Sequence, residues 1–146
     1  MEQIQFDSGV KEYRLNGQGV LRFHPGDPNL YARFFEAMDK IQALAEEMTK
    51  QGASAQQELS GRDAVALMEK TDREVKKILN WTFGLQNDFD EILGGINLMA
   101  VADNGQQIIT NLLAALEPIL MEGAQQCTKE QVQGAVALAR KHRDAR

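Results

Sequence analysis

Residues 11–24, KEYRLNGQGVLRFH, alternate between apolar and polar positions on either side of NGQG. Tyr13 and Leu15 precede the turn, and Leu21 and Phe23 follow it. Period-two alternation around an Asn-Gly turn predicts a β-hairpin. A lone hairpin is marginal in water. It must therefore lie on helices, pair with an upstream segment such as Ile4 and Phe6, or pair with another chain.

From Pro25 onward the period changes. Asp27 is a good N-cap, and Pro28 suits the first helical position, where a missing N–H costs nothing. Leu30, Phe34, Met38, Ile41, Ala45 and Met48 recur every three or four residues and predict a helix from about 28 to 50. A polar connector follows at 51–61. Ser60, with Asp63 three residues on, opens the next helix. That helix carries Ala64, Leu67, Met68, Val75, Ile78 and Leu79 on its apolar face, with Asp72, Arg73, Lys76 and Lys77 toward water, and ends near 81–84. DFDEIL predicts a short helix starting at Asn87 or Asp88 and stopped by Gly94-Gly95 in αL geometry.

The loop INLMAVADNG is unusually apolar. After it, Ile109, Leu113, Leu116 and Leu120 fall at heptad-like spacing, and Ile108, Leu112 and Ile119 widen the stripe. So wide a face predicts a central helix or one covered by a partner. Pro118 is expected to kink this helix or begin its end. Thr128 and Gln131 form a capping box for a separate terminal helix, thinly apolar with Val132, Val136 and Leu138. The fold class is mainly α, with four to five helices and a small N-terminal β-hairpin or sheet. Residues 1–127 form one α-rich domain, and 128–146 a C-terminal helix or partly flexible tail.

Charge sharpens this division. Five basic and two acidic residues give 128–146 a balance of +3, so the preceding 127 residues carry −8. A mildly basic tail on an acidic body is not a nucleic-acid signature, but suits docking on an acidic surface. A single cysteine, Cys127, excludes an internal disulfide. The N-terminus has no signal-peptide pattern, and no apolar run is long enough to span a membrane.

Candidate chemistry is sparse. His24 and Asp27 could form a base or half a metal site, but no further ligand or nucleophile lies nearby in sequence. The plainer reading is that His24 bonds to the following turn. Asp88, Asp90 and Glu91 lack the glycine of a calcium loop and sit where a helix dipole favours acids. Gly17-x-Gly19 has no third glycine or following helix to cradle phosphate. No catalytic residue, cofactor or metal site is assigned. The apolar features remain: Met38, Met48, Met68, Met99 and Met121 suit either core filling or an adaptable surface. Ile109, Leu113, Leu116 and Leu120, with Met38 and Met48, form the candidate partner-binding face.

Three stretches in order carry a resemblance. They are LNGQGVLRFHPGDPNLYARFFEAMDKI, LNWTFGLQNDFDEILGGINLM and NGQQIITNLLAALEPILME. Over residues 11–123 this succession resembles the tail assembly chaperones of long-tailed phages and prophages, small acidic proteins functionally similar to the lambda G protein. The resemblance implies a non-enzymatic protein that binds the tape measure protein, keeps it soluble and helps recruit tail tube protein. It also implies action in the cytoplasm of the bacterial host and absence from the mature virion. A homo-oligomer fits this role; nucleic acid and membrane partners do not. The alternatives are a structural tail component, such as a completion or tube-associated subunit, a small enzyme or metal protein using His24, Asp27 or the Asp88 to Glu91 cluster, and a small regulatory adaptor using the basic tail.

Overall fold

A computed structural model describes residues 1–54 and 60–144. The hairpin expected over 11–24 is present as β1 (Lys11–Arg14) and β2 (Val20–Phe23), antiparallel, with Tyr13 opposite Leu21. Its turn uses positive φ at Asn16 and Gly17. Gly19 contributes in another way. Its φ is not positive, but a Cβ there would strike the Ile92 backbone, so the missing side chain lets the hairpin sit directly on the next short helix.

The helices follow as α1 (Pro28–Ser54), α2 (Gly61–Phe83), α3 (Phe89–Ile92) and α4 (Ile108–Asp144). The molecule is thus mainly helical with a small two-stranded N-terminal sheet. Asp27 Oδ1 accepts from the Asn29 N–H at 3.0 Å, and α1 begins at Pro28. Ser60 caps α2 by accepting from the Asp63 N–H at 3.1 Å. Gly84 ends α2, and Gly94 and Gly95, both at positive φ, carry the chain away from α3. Of the connector expected over 51–61, residues 55–59 lie outside the described residues.

The core forms where the hairpin, α2, α3 and the first half of α4 converge. Four rings make a continuous chain through it: Tyr13 to Phe23 at 5.1 Å, Phe23 to Phe83 at 5.0 Å, and Phe83 to Phe89 at 5.5 Å. Leu21, Leu30, Val75, Leu79, Leu98, Ile109, Leu116 and Leu120 fill the space around them. The apolar loop is apolar because Leu98 and Met99 are part of this core. Asn87 finishes the sheet: its side chain accepts from the Arg22 N–H at 2.9 Å and donates to the Arg22 carbonyl at 2.7 Å. A side-chain amide thus occupies the outer edge of β2 as a neighbouring strand would. α1 packs along α2, where Arg33 donates to the Thr82 carbonyl at 3.0 Å and Lys40 lies 4.8 Å from the Trp81 ring centre.

Three expectations need correction. Asp72 and Lys76 do not face water. Lys76 is only 4% exposed, and its ammonium donates to Asp72 at 2.9 Å, Asp90 at 2.7 Å and the Ile96 carbonyl at 2.7 Å. The loop after α3 covers that side of α2, so an i,i+4 pair that reads as surface becomes interior. Pro118 does not end a helix, and Thr128 does not start one. α4 runs unbroken through both, because Pro118 and Ala114 lie on the exposed side, where water can satisfy the carbonyl freed by the missing N–H. Thr128 instead donates its hydroxyl to the Ala124 carbonyl at 3.0 Å. On the described part of the tail, Val136 and Leu138 are exposed, while the Val132 side chain lies outside the described residues.

Burial alone would lower the Lys76 pKa, but the hydrogen bonds and charges of Asp90 and Asp72 outweigh it and leave it above its ordinary 10.5. Lys76→Met, which strips the cation from a buried pair, is expected to cost about 3–5 kcal/mol in chemical denaturation at neutral pH. Because the folded value is raised, the stabilisation is complete below the unfolded value and disappears as pH rises through the folded one. The gap between wild type and variant should therefore persist through neutral and mildly alkaline solution and close only at strongly alkaline pH.

Candidate functional site

The joint between hairpin and α1 positions the most distinctive surface of the molecule. The sequence HPGD turns the chain sharply after β2. Gly26 donates its N–H to His24 Nδ1 at 2.9 Å, and Asp27 donates its N–H to the His24 carbonyl at 3.2 Å. His24 thus organises the turn through both its ring nitrogen and its carbonyl. Its side chain does not pair with that of Asp27, which is engaged at Asn29.

Against this turn lies Gly123 of α4. A Cβ there would overlap the Pro25 carbonyl and come within 2.5 Å of the Tyr31 hydroxyl oxygen. The close approach puts the Tyr31 hydroxyl between two carbonyls, Pro25 and Leu120, with the Leu120 oxygen at 2.9 Å. One phenolic proton is shared between them, so turn, α1 and α4 are tied at a single atom. Burial raises the Tyr31 pKa, with Cys127 and Tyr13 adding to the rise, so the hydroxyl stays protonated through neutral pH.

Beyond that tie, α1 and α4 border an open apolar groove of about 580 Å³. Tyr31, Phe34 and Phe35 form one wall, and Leu113, Leu120 and Met121 the other, with Thr110 and Glu117 among the polar lining residues. Phe34 and Phe35 meet edge to face with centroids 6.4 Å apart. Phe35 is 68% exposed and Met121 56%, although both are large and apolar. Adaptable methionine and rigid rings around an open trough suit an apolar helical or extended segment of another protein.

The expected partner-binding face is only partly this groove. Ile109, Leu116 and Leu120 are buried in the core, so they hold the fold together and do not form a free face; Leu120 also lines the groove. Leu113 is half-buried and lines the groove. Met38 is half-buried and is not among the groove's lining residues. Met48 is half-buried and faces Leu44 and Leu67 in the seam between α1 and α2. The residues that sequence reasoning left off the face are Tyr31, Phe34, Phe35 and Met121. The signal was present in LYARFF, where Phe35 stands one position off the core-facing row and so turns its ring outward.

A second, more polar cleft of about 550 Å³ lies on the other side of the Pro25 turn, lined by Lys11, Tyr13, His24, Glu122 and Gln126. Burial raises the Tyr13 pKa, and the neighbouring Glu122 charge adds to it. The acids near α3 are occupied structurally: Asp88 accepts from the Asp90 N–H at 3.1 Å, and Asp90 holds Lys76. Among the described residues, no group of three or more His, Cys, Asp or Glu is placed to hold a metal ion. Nor is any helix there long and apolar enough to cross a membrane. No protein-family model, curated protein or solved structure matches the chain.

Two variants separate the groove from the fold beneath it. Gly123→Ala forces a methyl group onto the Pro25 backbone and is expected to cost about 1–3 kcal/mol, read as a lowered thermal midpoint. The double variant Phe35→Ser, Met121→Ser should change stability by no more than about 0.5 kcal/mol per site, because both side chains are exposed. It should nevertheless lose most of the fluorescence enhancement of an apolar-surface dye that the wild type gives.

Proposed function

We propose that this protein is a non-enzymatic assembly chaperone that holds an aggregation-prone helical client, the tape measure protein of a long phage tail. The observation that carries this reading is the open groove between α1 and α4, with Phe35 and Met121 exposed beside the half-buried Tyr31, Phe34 and Leu113. Exposed apolar troughs rimmed by polar residues are one form that interaction surfaces take. The ordered resemblance of three stretches over residues 11–123 to tail assembly chaperones names the client. The acidic body supports the same role, since net charge keeps a complex with an apolar client in solution.

In this reading the client lays an apolar helical face into the groove and is shielded from aggregation until tail tube protein arrives. The chaperone then leaves, so it works in the cytoplasm of the bacterial host and is missing from finished particles. The groove supplies hydrophobic contact without covalent chemistry, and release needs only a competing surface with greater affinity for the client.

Co-expression with a tape measure protein encoded beside this chain tests the proposal. The expected outcome is a soluble client that co-purifies, and loss of both properties in the Phe35→Ser, Met121→Ser variant. A client that stays insoluble with wild-type protein defeats it. Mass spectrometry of purified virions that finds the chain at fixed stoichiometry would make it a structural tail subunit instead.

A further inference from the structure

The two edges of the hairpin are treated differently. Leu15 donates its N–H to the Gly19 carbonyl at 2.8 Å, which sets the alternation of the ladder: Tyr13 and Lys11 bond toward β2, while Glu12 and Arg14 point their N–H and C=O groups outward. On β2 the outward-pointing residue opposite Glu12 is Arg22, and Asn87 occupies both its N–H and its carbonyl. Among the described residues, no comparable group covers β1. No hydrogen bond there reaches the outward backbone groups of Glu12 or Arg14, and both residues are exposed. An uncovered strand edge is a template for another strand.

We propose that β1 pairs with β1 of a second copy across a two-fold axis through Tyr13, making a four-stranded antiparallel sheet. Charge selects both occupant and register. With the axis at Tyr13, Glu12 of each copy lies directly opposite Arg14 of the other, and these are the residues whose backbone groups face outward. The two neighbouring registers that keep the same backbone alternation fail on charge. An axis through Glu12 opposes two carboxylates, and an axis through Arg14 opposes two guanidiniums; like charges facing across a ladder are unfavourable. The side chains are ready for the favoured register. Glu12 already holds Arg22 at 3.0 Å on the solvent face, so it would lie between Arg22 and Arg14 of the second copy. Among the described residues, the guanidinium of Arg14 has only a long contact, 3.5 Å, to the Gln18 carbonyl. Self-complementary pairing of one patch is what a two-fold interface requires. The contact is short, so dimer and monomer exchange with concentration. This inference does not depend on the client proposed above.

Sedimentation velocity over a concentration series tests it with two charge reversals. Wild type should shift from monomer toward dimer as concentration rises. Arg14→Glu alone and Glu12→Arg alone should each remain monomeric, since each opposes like charges at both pairs. Mixed in equal amounts, the two variants should form a heterodimer, because every facing pair is then opposite in sign. Unchanged helical circular dichroism shows that the variants are folded. Amide hydrogen exchange gives an independent readout on the wild type: the Glu12 and Arg14 N–H groups should become protected as concentration rises. A wild type that stays monomeric throughout, a dimer indifferent to both reversals, or Glu12 and Arg14 amides that exchange equally fast at every concentration would each overturn the proposal.

Discussion

A buried ammonium sets the requirements that the rest of this fold meets. Lys76 sits inside the molecule, and a charge there is tolerable only when paired and hydrogen-bonded. Its three acceptors come from three places: its own helix, α3 and the loop beyond. The consequence spreads outward along hydrogen bonds. Asp72, held by Lys76, accepts the Leu98 N–H at 2.8 Å, and the Leu98 carbonyl in turn accepts the Ile109 N–H at 2.9 Å. The start of α4 is thereby tied to the middle of α2. Fixing α3 also fixes the hairpin, since Gly19 rests on the backbone of Ile92.

That arrangement explains how a short sheet survives on a helical body. The hairpin is too small to be stable alone. It gains one neighbour from the side chain of Asn87, and its apolar face gains the ring chain from Tyr13 to Phe89. The same joint delivers α1 to α4 at Gly123, where the Tyr31 hydroxyl closes the contact and the helices leave the groove beyond it. Rigid support under an exposed trough suits a binding surface. The ordering cost is met by the core, so a bound segment does not have to organise the site.

Much of this was legible in the chain. Period-two and period-three-to-four patterns located the hairpin and helices, and Asp27, Pro28, Ser60, Gly84 and Gly94 marked boundaries through backbone chemistry that acts locally. The groove was only half legible. Leu113 belongs to it, but Ile109 and Leu116 do not, because a wide apolar stripe does not say which part of its arc a neighbour covers. Nor did Pro118 and Thr128 act as boundaries: each has a local preference that a long, favourable helix with an exposed proline can override.

The sequence by itself determined the hairpin, the first three helices, the order of the elements and the acidic body with its basic tail, since dihedral preference, capping and periodicity depend on residues a few positions apart. Only the tertiary structure decided which polar groups are inside and which apolar groups are outside. Asp72 and Lys76 carry the spacing of a surface pair and become interior because a loop some twenty residues later folds over them. Phe35 and Met121 look like core residues and stay exposed because α1 and α4, tied together at Tyr31, leave a groove between them. Burial is a property of what lies opposite, and no local pattern encodes that.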